Sequence, residues 1–299
     1  MNRLGLDIGG TDVKIGVVNE GFELIDFVKI PTLASRPWEA IVQDMIDACR
    51  PLVNRHEPVS IGIGSPGSVD PVRGVVIRSG NLSFRNVPMV SRFEEAFHLP
   101  TCLENDANCA LVAEMMAGAC QGCTDALILT LGTGVGGGLL LNSALYSGHN
   151  FKAGELGHFP IVHKGHPCPC GQRGCFEQYV SVTALIRQTR EAIAAHPHSL
   201  LAAMGRDGVD GRTPFLAAEQ GCPAAEKVLD TYADYLACGL NGLQYIFQPQ
   251  RIVLTGAVTA QGENLLRRVR PHLLEGVDVR ISTLNQGGLI GAALLPGRG

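Results

Sequence analysis

A chain of 299 residues is long enough for two medium lobes or one large domain, and either buries a sizeable core without disulfides. Lysine and arginine number 24 against 28 acidic residues, a net charge of −4, and no basic run could follow a phosphate backbone, which excludes nucleic acid as an expected partner. The ten cysteines, met without an export signal, point to a reducing and therefore cytoplasmic setting, where thiols serve as metal ligands or core residues.

The first residues alternate at once and place Asp7 where a secretion signal needs an unbroken apolar stretch. Leu4, Leu6 and Ile8 precede Gly9-Gly10-Thr11, and Val13, Ile15 and Val17 follow it, which predicts a hairpin. Residues 37–53 carry apolar side chains at helical spacing, from Trp38 through Ile41, Val42, Met45 and Ile46 to Cys49. A short strand at 60–64 ends at Ser65-Pro66-Gly67, so strand, helix and strand alternate and an α/β lobe is expected. Another strand at 101–105 passes at Asp106 into a helix that runs to about Gly118.

A second apolar hairpin, 127–131 and 136–141, turns at Gly132-Thr133-Gly134 and repeats the opening logic, which predicts an internal duplication of one phosphate-binding unit. The surrounding segment, 126–141, is too short and too rich in glycine to cross a bilayer as a regular helix, and no membrane association is expected. Further on, 181–195 and 224–247 are helical in pattern, 251–255 is a strand, a helix begins near Glu263, and 287–295 reads as a closing helix. The expected division is a small α/β lobe of residues 1–117 with 285–299, and a large α/β lobe of 118–284.

Chemistry concentrates in four places. Asp7 stands before two glycines whose missing side chains let backbone N–H groups approach a phosphate, and its carboxylate suits Mg²⁺. Gly132-Thr133-Gly134-Val135-Gly136-Gly137-Gly138 holds five glycines in seven residues, more than a hairpin needs unless backbone approach matters. Neither is a Walker loop or a dinucleotide fingerprint, because no Gly-Lys-Ser/Thr follows and the glycines lie between strands. Asn105 and Asp106 sit at a strand-to-helix junction, where open α/β sheets bind ligands. Asp106 is the candidate base, against the plainer reading that it caps its helix. Asn105 can hydrogen-bond a sugar hydroxyl, and so can Asn81, which as a neighbour of Gly80 also reads as a turn residue.

The fourth place is Gly154-Glu155-Leu156-Gly157-His158 followed by Cys168, Cys170, Cys175 and Glu177. One imidazole and three thiolates supply a complete tetrahedral set for a structural Zn²⁺. Glu155 shares a face with His158 if the segment is helical, and Glu177 follows the last thiol by two positions, so carboxylates, imidazole and amides form a set able to bind a pyranose. Cys49, Cys102, Cys109, Cys222 and Cys238 sit singly in apolar surroundings and read as small core residues. Cys120 and Cys123 form a C-x-x-C with no second pair, which reads as coincidence.

Together these motifs, with Ser65-Pro66-Gly67 and Gly80-Asn81-Leu82, resemble the ROK family of repressors and sugar kinases, a branch of the two-lobed actin-like ATPase (ribonuclease H-like) fold, over nearly the whole chain. The resemblance implies Asp106 as catalytic base and Gly67, Asn81, Asn105, Asp106, Glu155, His158 and Glu177 as sugar contacts. It places ATP and Mg²⁺ with Asp7, Gly9, Gly10, Thr11, Gly132, Thr133, Gly134 and Gly256, in a cleft between closing lobes, and Zn²⁺ with His158, Cys168, Cys170 and Cys175. It also implies a homodimer, and transfer to the 6-hydroxyl of glucose first, with N-acetylmannosamine, allose or another hexose as the alternative.

Three positions depart from the family pattern: Thr255-Gly256-Ala257-Val258 replaces a Gly-Gly pair, Asn285-Gln286-Gly287-Gly288 replaces Asp-Ala-Gly, and Asp12 stands where glucokinases often carry lysine. These bear on nucleotide contacts and sugar preference. A sugar-responsive repressor is the competing class, but its helix-turn-helix would precede the phosphate turn, which here begins at Asp7. A zinc module for nucleic acid is opposed by the acidic balance.

Overall fold

The computed structural model describes residues 1–295; the last four residues of the expected small lobe lie outside the described residues. The chain opens with β1 (Arg3–Ile8), β2 (Asp12–Val18), β3 (Leu24–Pro31), α1 (Trp38–His56) and β4 (Ile61–Ser65). Three short strands, β5 (Ser68–Asp70), β6 (Val75–Arg78) and β7 (Arg85–Val87), form a small sheet of their own. After α2 (Met89–Phe97) come β8 (Thr101–Asn105), α3 (Asp106–Ala117), β9 (Ala126–Leu131), β10 (Val135–Leu141) and β11 (Ala144–Leu145). A helical stretch holds α4 (Glu177–Val180), α5 (Val182–Ala195), α6 (Leu200–Met204), α7 (Thr213–Glu219) and α8 (Pro223–Phe247). The remaining elements are β12 (Arg251–Thr255), α9 (Glu263–Val269), β13 (Val279–Ile281) and α10 (Gly287–Leu294), with short 3-10 helices at Ala257–Gln261 and Arg270–His272.

Both large sheets follow one plan. The first has the order β3-β2-β1-β4-β8 and the second β11-β10-β9-β12-β13. In the first, β1, β2 and β3 are antiparallel neighbours and β1, β4 and β8 run parallel. In the second, β9, β12 and β13 run parallel and β10 pairs antiparallel with β11. A glycine turn joins the first two strands of each sheet, so the duplication expected from the two hairpins is present in the topology.

The chain divides into two compact units, one of Met1–Thr124, Gly138–Gly154 and the residues from Thr283 on, the other of Asp125–Gly137 and Glu155–Ser282. In the first, Leu4, Leu6 and Ile8 of β1 are fully buried and pack with Ile41, Met45 and Ile46 of α1, the partners that helical periodicity selects. The opposite face carries α3 and α10, whose backbones come close to the sheet and to each other at glycine positions where no side chain fits. A Cβ on Gly62 would overlap the carbonyl oxygen of Ala292, and one on Gly291 would overlap that of Cys109. Gly291→Ala should therefore destabilise the protein by about 2 kcal/mol or more, through forced separation of α3 and α10, as read by urea unfolding.

In the second unit, α8 buries Val228, Leu229, Tyr232, Ala233, Leu236, Leu240 and Leu243, a stripe at helical spacing, and the Tyr232 hydroxyl donates to the Val180 carbonyl at 2.6 Å. Cys49, Cys109 and Cys222 are buried as expected, whereas Cys102 is half-buried and Cys238 is exposed. Cys238 has apolar neighbours in sequence, but the turn of α8 places it off the buried stripe, which passes through Leu236, Ala237, Gly239 and Leu240.

Candidate active site

The first glycine turn is shaped by its own backbone. The Gly9 N–H donates to the Asp12 carbonyl at 2.9 Å, and the Thr32 hydroxyl donates to the Gly9 carbonyl at 2.7 Å, while the N–H groups of Gly10 and Thr11 have no acceptor among the described residues. Two adjacent open amides in a tight turn form a concavity for an anion. Asp7, at the penultimate position of β1, faces Lys14 across the hairpin, with Nζ 3.5 Å from its carboxylate. A Cβ at Gly288, in the first turn of α10, would come within 3.2 Å of the same carboxylate. Gly10 also lies beside Asn81, whose Cβ is 3.8 Å from where a Gly10 Cβ would stand. Lys14 was not among the expected site residues, although its register opposite Asp7 follows from the hairpin pattern itself.

At the end of β8 the structure assigns the helix cap to Asn105 rather than Asp106. Asn105 Oδ1 accepts from the N–H groups of Ala107 (2.9 Å) and Asn108 (3.3 Å), and its amide donates to the Gly67 carbonyl at 3.2 Å. Gly67 accommodates this with φ +90 and its back against Arg78, an approach that only glycine permits. Asp106 is then the first residue of α3, half-buried, with Oδ1 accepting from the Ala107 N–H at 2.9 Å. Behind them the buried Glu104, part of the same acidic and amide run in the sequence but given no role there, fixes the corner by accepting from the Asn105 N–H (2.8 Å) and the Asn108 side chain (3.1 Å). Burial, with the Glu104, Asp7 and Asp106 carboxylates nearby, holds the Cys109 thiol well above its ordinary pKa, so a neutral thiol underlies this corner. Gly67, Asn105 and Asp106 are thus assembled at one place, and Asn81 meets the turn of Gly10.

The second glycine turn has the same internal economy. The Gly132 N–H donates to the Gly134 carbonyl at 3.0 Å, and the N–H groups of Thr133 and Gly134 have no acceptor among the described residues. Outside anchors are more numerous here: Val135 N–H donates to Glu177 Oε2 (2.9 Å), Val182 N–H to the Gly132 carbonyl (2.8 Å), and the Thr183 hydroxyl to the Thr133 carbonyl (2.8 Å). Gly256, with φ +101, packs directly on Leu131, the residue before the turn. The sequence set Glu177 beside Glu155 as a sugar contact; the structure seats its carboxylate on the turn, where a Cβ at Gly134 would stand 2.5 Å from it.

His158, Cys168, Cys170 and Cys175 bring their ligand atoms within 4.8 Å of one another. His158 Nδ1 lies 3.6 Å from Cys168 Sγ, and the sulfurs of Cys170 and Cys175 are 3.6 Å apart. Ligand atoms on a tetrahedron with zinc–sulfur bonds of about 2.3 Å are separated by about 3.8 Å, so the cluster fits Zn²⁺. The loop is closed by Gly171 and Gly174 at φ +93 and +82. Burial pushes the Cys175 thiol up to about 12 and raises Cys168, while the Gln172 backbone amide lowers Cys170. Thiols so placed need a cation to become thiolates together. Glu155 is held by a turn, not a helix: the His158 N–H donates to its carbonyl at 3.0 Å, and its carboxylate lies 3.9 Å from His158 Nε2. The proximity expected from helical spacing is met by other means, and the outer nitrogen of the imidazole faces a carboxylate.

Two sheets of one strand order, each with a glycine turn offering open amides, define the actin-like ATPase class. The chain belongs to the ROK family, whose family model matches residues 3–298. It is 35% identical to a glucokinase of Streptomyces coelicolor over 97% of this chain and 96% of that one. It is 33% identical to a glucokinase of Halalkalibacterium halodurans, over 98% and 94% respectively. Among solved structures, a ROK family glucokinase from Streptomyces griseus in complex with glucose and AMPPNP is 34% identical, covers 100% of both chains and superposes with a TM-score of 0.86.

Proposed function

We propose that the chain is an ATP-dependent hexose kinase that transfers the γ-phosphoryl group to the 6-hydroxyl of glucose, with Asp106 as the base. The observation that carries this reading is the corner of β8 and α3: Asn105 takes the cap and bonds the Gly67 carbonyl, which leaves Asp106 to present a half-buried carboxylate from the first turn of the helix. Phosphoryl transfer passes through a loose transition state, in which a carboxylate orients the hydroxyl and accepts its proton late.

Around Asp106, the side chains of Asn81 and Asn105 and the backbone at Gly67 are assigned to sugar hydroxyls. Asn105 retains one amide N–H for this after its bond to Gly67. In the other unit Glu155, His158 and Glu177 are assigned the same role, with Glu177 also serving the turn. The open amides of Gly10, Thr11, Thr133 and Gly134 are assigned to phosphate oxygens, and Gly256 to the nucleoside end. Asp7 would hold Mg²⁺, a hard cation that keeps several waters and neutralises phosphate charge. His158, Cys168, Cys170 and Cys175 would hold Zn²⁺, which supplies structure and no step of the reaction. No helix among the described residues is long and apolar enough to cross a membrane. The proposal includes a cytoplasmic homodimer, on the resemblance to ROK kinases, for which light scattering in solution is the check.

Support for glucose comes from the glucokinases aligned over nearly their full lengths and from the glucose-bound neighbour. ADP release measured over a panel of hexoses and N-acetylhexosamines should give glucose the highest kcat/KM. A preference for N-acetylmannosamine or allose would displace glucose, and no stimulation by any sugar would end the kinase reading.

A further inference from the structure

Thr183 has no assigned role, yet it reaches the nucleotide turn from outside the hairpin. We infer that Thr183 is a positioning residue for the nucleotide: its hydroxyl, with Glu177 Oε2 and the Val182 N–H, clamps the Gly132–Val135 turn in the shape that exposes the N–H groups of Thr133 and Gly134. This deepens the kinase reading and rests on the turn's assignment to phosphate.

Five glycines in seven residues leave the turn and the start of β10 with little conformational preference of their own. Two hydrogen bonds within the hairpin, from the Gly132 N–H to the Gly134 carbonyl and from the Gly136 N–H to Thr130 Oγ1 at 3.1 Å, leave the Thr133–Gly134 peptide itself unheld. The definition of the turn comes from residues 177–183: Val182 N–H holds the Gly132 carbonyl, Thr183 Oγ1 holds the Thr133 carbonyl, and Glu177 Oε2 holds the Val135 N–H. The two held carbonyls can no longer swing over to meet the open amides, and the held Val135 N–H fixes the exit of the turn. The peptide linking Thr133 and Gly134 matters most, since its carbonyl is the one Thr183 grips and its N–H, on Gly134, points the opposite way. Holding that carbonyl fixes the direction of the Gly134 N–H. Segment 177–183 is itself stiff: Ser181 caps α5 by accepting from the Ala184 N–H, and the Glu177 N–H donates to the Gly157 carbonyl at 2.9 Å. Thr183 is exposed and in the first turn of α5, so its substitution empties no core.

Thr183→Val keeps the shape and removes the hydroxyl; Thr183→Ser keeps the hydroxyl. Calorimetric titration with a non-hydrolysable ATP analogue, and separately with glucose, reads the two ligands apart, and steady-state kinetics gives KM for each. Thr183→Val should weaken analogue binding by about fivefold, the worth of one hydrogen bond, raise the KM for ATP in step and leave glucose binding within twofold. Thr183→Ser should restore analogue affinity. Unchanged analogue affinity in Thr183→Val, equal weakening of both ligands, or no rescue by serine would overturn the assignment. A wild-type protein that binds no analogue would instead refute the nucleotide reading on which it rests.

Discussion

Asp106→Asn is expected to lower kcat by about 10²–10⁴-fold while leaving glucose affinity within a few-fold of wild type. The substitution is chosen because the local structure tolerates it. Asp106 Oδ1 accepts from the Ala107 N–H, and an asparagine oxygen accepts the same bond. The cap of α3 is on Asn105 and is untouched. What the variant lacks is the capacity to take a proton from the sugar hydroxyl as the phosphoryl group arrives, and a loss confined to kcat is the signature of an interaction made only in the transition state. Calorimetry with glucose and a coupled ADP assay measure the two quantities, and a variant retaining more than about a tenth of wild-type turnover would remove Asp106 from the role.

The second large effect concerns the metal cluster. Protein purified without chelator is expected to carry about one zinc per chain, and Cys175→Ser to lose both the metal and more than about tenfold in kcat/KM for glucose. Cys175 is buried, and the strand-like bridge it makes with Pro160 draws the loop together two residues before Glu177. Without a cation, a thiol pushed to about 12 stays protonated at neutral pH, and the four ligand side chains are left with weak sulfur hydrogen bonds in place of four metal bonds. His158, Glu155 and Glu177 would then lose the framework that orients them. Elemental analysis and kinetics on the same preparation decide the matter: a metal-free protein with undiminished kcat/KM would show that the cluster contributes nothing to the site.

Much of this arrangement is legible in the chain, and the illegible parts have physical causes. The two hairpins stand out because glycine interrupts strict alternation, and helices such as α1 and α8 because their buried stripes repeat with the helical period. The three strands β5, β6 and β7 are three or four residues each, too short for a period to declare itself. The cap of α3 is ambiguous in sequence because Asn105 and Asp106 are both good capping residues, and only the backbone decides which of them leaves the helix. The four residues of the candidate metal cluster are legible as a set, since chemistry rather than geometry picks them out. The contact of Glu177 with Val135 spans 42 positions and the grip of Thr183 on Thr133 spans 50, distances over which no local pattern carries information.

The glycine-cushioned seat of α10 bears on how the protein is made. Residues 287–294 leave the ribosome after every element they pack against, and their backbone contacts with Gly5, Gly62 and Cys109 have no substitute in the preceding chain. The unit that holds Asp106 must wait, with the part of its sheet that α10 covers left open, until residues 287–294 have been made. A nascent chain halted short of Gly287 would expose that part to chaperones and proteases, and catalysis becomes available only to chains translated past this point.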